Sequence, residues 1–242
     1  MSNFVFNGTS SDELGVRIIS KNVYSSPKYD ITLVSIPGRD GEIVSDNGRF
    51  PNVTVSYSCF LPAKSIDELA VKIRNVKKWL YSDPGKYHDL SDSFDSQFYR
   101  KAIFNSKLDV TDQISKIGVF TITFSCYPFK YAESGDERLI LETGDEIFNP
   151  YPFNSKPYLK INGSGTGTLR IENETEITSW VISNIDGYVE CDSELMNFYK
   201  GTLLKNSDVV GDKFPTLAYG ANTITFSGGI TSVEIIPRWI SL

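Results

Sequence analysis

The chain has 242 residues, 40% hydrophobic and 22% charged, a balance that excludes a disordered polymer and leaves room for one large or two ordinary domains. Lys and Arg number 24 against 30 Asp and Glu, so the formal charge is −6, which excludes the global positive field of a non-specific nucleic-acid binder. The 13 Tyr and 15 Phe, together with abundant Val, Ile and Thr, point to a mostly β protein.

No apolar run reaches the roughly 18 residues that a membrane-spanning helix needs. The opening segment Met1-Ser2-Asn3-Phe4-Val5-Phe6-Asn7 has neither a basic start nor an apolar centre, so it does not read as a signal peptide. Cys59, Cys126 and Cys191 are scattered and odd in number, which predicts buried thiols in a reducing compartment and no disulfide frame.

The first elements are strands over 16–19 and 31–36, separated by the breaker Ser25-Ser26-Pro27. Pro37-Gly38-Arg39-Asp40-Gly41 is a turn, and Asp46-Asn47-Gly48 is a second. Val53, Val55, Tyr57 and Cys59 alternate with polar residues, which predicts a strand buried on one face. Then the period changes. Ser65 and Glu68 form a capping box, and Ile66, Leu69, Ala70, Ile73, Val76 and Leu80 follow at helical spacing. This predicts one amphipathic helix over 66–81, lying on a sheet, with Lys72, Lys77 and Lys78 on its solvated side.

Strands return at 98–104 and 119–126, the latter closed by Pro128. The polar stretch 132–138 marks a domain boundary, giving domains 1–136 and 137–242. The second half shows six short strands, at 158–161, 168–171, 180–182, 188–190, 222–226 and 233–236, the pattern of a β-sandwich or jelly roll.

Motifs that carry chemistry are scarce. The single histidine, His88, reads as a surface residue in a turn, with no nucleophile elbow to complete a triad. Asp89, Asp92 and Asp95 are three apart, where a calcium loop of the EF-hand type needs carboxylates two apart. Gly163-Ser164-Gly165-Thr166-Gly167 precedes a strand and reads as a hairpin turn, not a phosphate loop. Four Asn-x-Ser/Thr matches carry nothing without a secretory signal. No metal or cofactor site is expected, and the pattern favours a binding or structural part over an enzyme.

Three stretches, in order, resemble the distal tail protein (Dit) family of long-tailed phages, the siphovirus-type tail component family. They are Pro37-Gly38-Arg39-Asp40-Gly41 after Phe4-Val5-Phe6-Asn7-Gly8 and Leu14-Gly15; Trp79-Leu80-Tyr81 leading into residues 90–100; and Phe124-Ser125-Cys126-Tyr127-Pro128-Phe129. Asn149-Pro150, Ser155-Lys156-Pro157, Gly220-Ala221-Asn222 and the closing Pro237-Arg238-Trp239 extend the likeness over nearly the whole chain.

The resemblance implies a mainly β protein, with an N-terminal belt domain of β-sandwich or barrel-like form carrying one amphipathic helix and a C-terminal galectin-like β-sandwich. It implies a homohexameric ring at the distal end of the phage tail, made in the bacterial cytoplasm and incorporated in the virion. The ring would join the tail tube to the tail tip or baseplate and the adsorption apparatus. Implied partners are the major tail protein, the tape-measure protein and a tail-associated fibre or lysin protein, with no membrane and with DNA only as cargo in the lumen. An inserted carbohydrate module does not fit in 242 residues.

A closed ring needs a heterologous interface, and exposed strand edges suit it. The expected interface is the hairpin over 37–51, namely Pro37, Gly38, Arg39, Asp40, Gly41 and Arg49, with Asp92, Asp95 and Arg100 from the second stretch. Arg39, Asp40, Arg49 and Arg100 either pair between subunits or, for Arg39 and Asp40, are solvated turn residues. An acid-lined lumen is expected, since it would not hold phosphates. Rival readings are a lectin-like module stacking sugars on Trp180, Tyr188 and Tyr199, and a tail-associated glycoside hydrolase with two facing carboxylates.

Overall fold

The computed structural model describes residues 2–113 and 116–242; Met1, which opens the N-terminal segment read above, lies outside them. The chain divides into two compact units, one running to Lys130 and the other from Tyr131 to Ser241. They differ in charge. The first holds 16 Lys and Arg against 14 Asp and Glu, formally +2; the second holds eight against 16, formally −8.

The first unit contains β1 (Phe4–Phe6), β2 (Thr9–Ser10), β3 (Arg17–Lys21), β4 (Ile31–Ser35), β5 (Glu42–Asp46), β6 (Val53–Pro62), α1 (Ile66–Leu80), β7 (His88–Asp92), β8 (Phe98–Ile103), β9 (Val110–Gln113) and β10 (Ile117–Ala132). Its main sheet runs β2-β1-β7-β8-β10-β6-β3, with β9 also on β10. The centre is the antiparallel β6–β10 ladder, in register from Val53↔Cys126 to Pro62↔Ile117. That register sets Tyr57 beside Ile122 and Val55 beside Phe124 on one face, and all four side chains are buried. Aromatic rings complete the core: Phe4 stacks on Tyr57 at 4.3 Å, and Phe6 meets Phe124 at 4.7 Å.

Helix α1 starts where expected. Ser65 accepts a hydrogen bond from the Glu68 amide at 3.2 Å, but the Glu68 carboxylate accepts from the amide of Lys64 at 2.8 Å, one residue before the cap. The buried stripe differs from the predicted one. Ile66 and Ala70, at its first turns, face solvent, and Trp79 joins the stripe at the other end, its indole donating to the Phe6 carbonyl at 2.9 Å. From the last turn of α1 the indole reaches β1, where it packs on Phe4 and Phe6.

Two further expectations are corrected here. Strand β10 does not end at Pro128 but continues to Ala132; the β6 ladder stops at Cys126, so the missing amide of Pro128 breaks no bond of it. His88 is not a surface turn residue. It opens β7, with its ring against Phe6 at 5.6 Å and its side chain largely covered.

The second unit contains β11 (Leu139–Leu141), β12 (Asp145–Asn149), β13 (Tyr158–Glu172), β14 (Ile177–Asp192), β15 (Asn197–Lys200), β16 (Leu203–Leu204), β17 (Val209–Val210) and β18 (Gly220–Ile236). The order is β11-β18-β13-β14-β15-β16, with β12 on β18 and β17 on β14. The six short strands predicted are thus three long ones, β13, β14 and β18. Gly163-Ser164-Gly165 is no hairpin turn; it lies inside β13, where the pairing register shifts. A Cβ on Gly163 would stand 2.1 Å from the Gly229 carbonyl oxygen, so glycine permits the close backbone approach at the bulge. A turn and a bulge draw on the same residues, which is why the sequence misled.

All three cysteines are buried, and burial pushes each thiol up to about 12.

Candidate assembly surface

Strands β4 and β5 form a hairpin that belongs to neither larger sheet. Their register runs from Ile31↔Asp46 to Ser35↔Glu42. Pro37-Gly38-Arg39-Asp40-Gly41 makes the tip, with Gly38 at φ 82° and Gly41 at φ 78°, values that favour glycine. The base is fastened by charge. Arg49 Nε donates to Asp30 Oδ2 at 2.7 Å, and Asn47 Nδ2 donates to Asp30 Oδ1 at 3.0 Å. These bonds, with the Arg49 guanidinium first, hold the Asp30 carboxyl below its ordinary range. Gly48 N–H donates to Asp46 at 2.7 Å and closes the second turn.

Every residue from Ile31 to Arg49 is exposed. The apolar ones are Ile31, Leu33, Val34, Ile36, Ile43 and Val44, with Leu33 at 52% and Val44 at 58%. Leu33 pairs directly across from Val44, and Val34 from Ile43, so both faces of the ribbon are apolar at mid-length. A lone two-stranded ribbon is marginal in water, and its outer edges carry unpaired backbone groups. The arm therefore has the chemistry of half an interface.

The predicted site residues separate into two groups. Pro37, Gly38, Arg39, Asp40, Gly41 and Arg49 lie together on the arm. Arg39 and Asp40 are exposed at its tip, while Arg49 is engaged with Asp30 of its own chain. Asp92, Asp95 and Arg100 lie elsewhere in the first unit. Arg100 is 6% exposed, so it does not offer its charge to a neighbour, which corrects the expected pairing. Strand alternation turns Arg100, like Ala102, inward.

Asp92 accepts from the Tyr57 hydroxyl at 2.9 Å and from the amides of Phe94 and Asp95. Asp95 pairs with Lys130 at 2.8 Å. With Arg100 these groups line a cavity of about 20 Å³. Burial lowers the Arg100 pKa, opposed by Tyr57, Asp92 and Asp95 nearby, and its Nη1 has no hydrogen-bond partner among the described residues. The cluster is an internal polar network of the first unit. Asp89, the third acid of the series, pairs with Lys101 at 2.6 Å, so the three aspartates serve three separate contacts.

Of the aromatics in the lectin reading, Tyr188 and Tyr199 are half-buried on one face, since Tyr199 pairs across from Glu190, two residues from Tyr188, and Trp180 does not join them. Trp180 is buried, its indole donating to the Lys213 carbonyl. Tyr188 is half-buried and has the ammonium groups of Lys160 and Lys200 over its ring at 5.0 and 5.4 Å.

One pair of residues went unread in the sequence. Arg238 forms a bidentate bridge to the buried Asp192, both contacts at 2.9 Å. Burial opposes the Asp192 charge, but Arg238 and the amides of Glu194 and Leu195 prevail and hold its carboxyl below the usual range. Forty-six residues separate the partners, and nothing local in the chain links them.

Residues 13–126 match the family model described as the phage tail protein RIFT-related domain, a stretch that includes the whole arm. No curated protein sequence matches the chain. The fold resembles that of the Dit protein of phage SPP1, titled a paradigm of the hub adsorption apparatus in phages infecting Gram-positive bacteria. The TM-score is 0.72 at 12% identity, over 100% of both chains. It also resembles a chain of the phage P2 baseplate in its activated, calcium-containing conformation, with a TM-score of 0.50 at 10% identity over 97% of this chain and 96% of that one. None of these is an enzyme. Residues 13–126, a little under half of the chain, are thus similar to the phage tail protein RIFT-related domain, and the chain as a whole has a mainly β fold like that of the SPP1 Dit protein.

Proposed function

We propose that this structural phage tail protein assembles as a homohexameric ring at the distal end of the tail. The observation that supports the reading is the β4–β5 arm, an apolar ribbon left exposed among the described residues. It lies inside the matched tail-protein segment. Docked on the next copy, the arm would bury Leu33, Val34, Ile43 and Val44 and give its edge amides partners. The same arm on every copy makes a heterologous contact, and such contacts repeat until the ring closes. In this reading residues 1–136 are the ring-forming belt and 137–242 a galectin-like β-sandwich. The ring partners would be the major tail protein, the tape-measure protein and a tail-associated fibre or lysin protein.

The charge distribution bears on the lumen. The acid excess belongs to the second unit, while the unit carrying the arm is formally +2. An acid-lined channel would therefore have to come from the placement of individual carboxylates and not from the net charge of the belt.

Negative-stain imaging with light scattering tests the proposal. Six copies of 27.1 kDa give about 163 kDa, and six-fold rings of that mass are expected at high protein concentration. Monomer at every concentration, with no rings on the grid, would overturn it.

A further inference from the structure

The second unit carries an apolar feature of its own, independent of the ring. Strand β18 is flanked along one side by β13, and along the other by two separate short strands, β11 and β12. Neither short strand pairs with anything on its outer edge among the described residues. They form an open groove of about 410 Å³. Its floor is Leu141, Ile147 and Trp239, all buried. Its walls are Ile140, 74% exposed, and Phe148, 60% exposed.

The rim is acidic. Asp145 and Glu146 line the groove and are exposed, and neither has a cationic partner among the described residues. The surrounding stretch 133–146 holds Glu133, Asp136, Glu137 and Glu142 as well, against a single Arg138. That arginine is turned to Glu234 at 2.9 Å. Glu146 and Phe148 are two apart in β12, so they share the outward face of the strand.

An unpaired strand edge takes an extended chain; on the outward face of β12 Phe148 takes an apolar side chain and Glu146, two residues away, an ammonium or guanidinium group, while exposed Ile140 takes a further apolar side chain and Asp145 adds negative charge at the rim. We propose that this groove docks an extended, basic polypeptide segment of a partner protein by strand addition to β11 and β12, with a basic and an apolar residue two apart on the face that meets Glu146 and Phe148.

The test uses the full-length protein and fluorescently labelled peptides. The probe repeats Lys-Ser-Val-Ser, so that lysine and valine alternate along one face; one control replaces lysine by glutamate, and another has the probe's composition with the lysines in one block. Saturable binding of the alternating peptide alone is expected, weakened by added salt. Amide exchange should slow in β11 and β12 only. Phe148→Ser and Glu146→Lys should each weaken binding about tenfold or more. Both side chains are exposed, and matching thermal midpoints would verify that the variants fold. Equal binding of the blocked peptide would make the effect mere charge, and equal binding of the glutamate peptide mere apolarity. Either result overturns the proposal, as do variants that bind like the parent. So does light scattering in which Phe148→Ser removes a self-association, since a second copy would then be the occupant.

Discussion

The β4–β5 arm and the β6–β10 ladder are built from the same material and end in opposite surroundings. Both are antiparallel pairs rich in Ile, Val, Leu and aromatic or hydroxyl residues. In the ladder, polar residues fall on alternate positions, one face is free of them, and α1 and β1 supply matching apolar surface. In the arm the alternation fails: Leu33 is followed by Val34, and Ile43 by Val44, so neither face is polar throughout. Among the described residues, none covers either face enough to bury it. A strand pattern with apolar residues on both faces, in a ribbon tethered only at its base, is what the proposed ring contact would cover.

The comparison can be broken at several points. The largest effect is expected from Leu33→Glu combined with Val44→Lys. These opposed residues should abolish higher-order assembly in light scattering and leave the thermal midpoint of the monomer unchanged. In the ladder, Phe124→Ala should cost about 4 kcal/mol in urea unfolding, because it opens a cavity among Phe4, Phe6 and Tyr57.

Arg238→Ala extends the contrast to the second unit. Leaving Asp192 buried and unpaired should destabilise that unit by about 3 kcal/mol at neutral pH. The sign with pH follows from the depressed Asp192 carboxyl. Its stabilising contribution is full above the ordinary carboxylate pKa of about 4 and is lost as pH falls through the lower folded value, so parent and variant should converge in acid. Smaller still, Ser65→Ala should cost about 1 kcal/mol through the α1 cap. Smallest of all, Leu33→Ala in the dilute monomer should stay within about 0.5 kcal/mol of the parent, since the side chain touches no core.

Local pattern carried the elements whose partners lie close by in the sequence or repeat at a fixed period. The alternation over 53–59 and the helix start capped by Ser65 each have a single physical reading, and the protein follows it, although the Glu68 carboxylate reaches the Lys64 amide and not that of Ser65. Glycine at 163–167 has two, a turn that ends a strand or a bulge that lets it continue. Only the approach of Gly229 from another strand decides between them. Arg100 failed for a related reason. A charged residue is expected outside, and its inward position follows from the register of β8, which pairs Arg100 with Leu90 of β7. The tip of the arm was legible as a turn at Pro37-Gly38, but its strands are Ile31–Ser35 and Glu42–Asp46 and not the expected hairpin over 37–51, because Asn47-Gly48 lies past the end of β5, at the base beside Asp30. That it lacks a cover is a tertiary fact, visible only once the rest of the chain is in place. The Arg238–Asp192 bridge and the β11–β12 groove belong to the same class, because their parts meet across long sequence separations.

Hydrogen–deuterium exchange on the full-length protein across a dilution series tests most directly whether the arm is half of an interface. In dilute monomer the β4 and β5 amides should exchange at nearly the free-chain rate, while those of β6 and β10 stay protected. On assembly the arm should gain protection and the ladder should not change. Protection of the arm already in the monomer, or its continued fast exchange in assembled rings, would contradict the account.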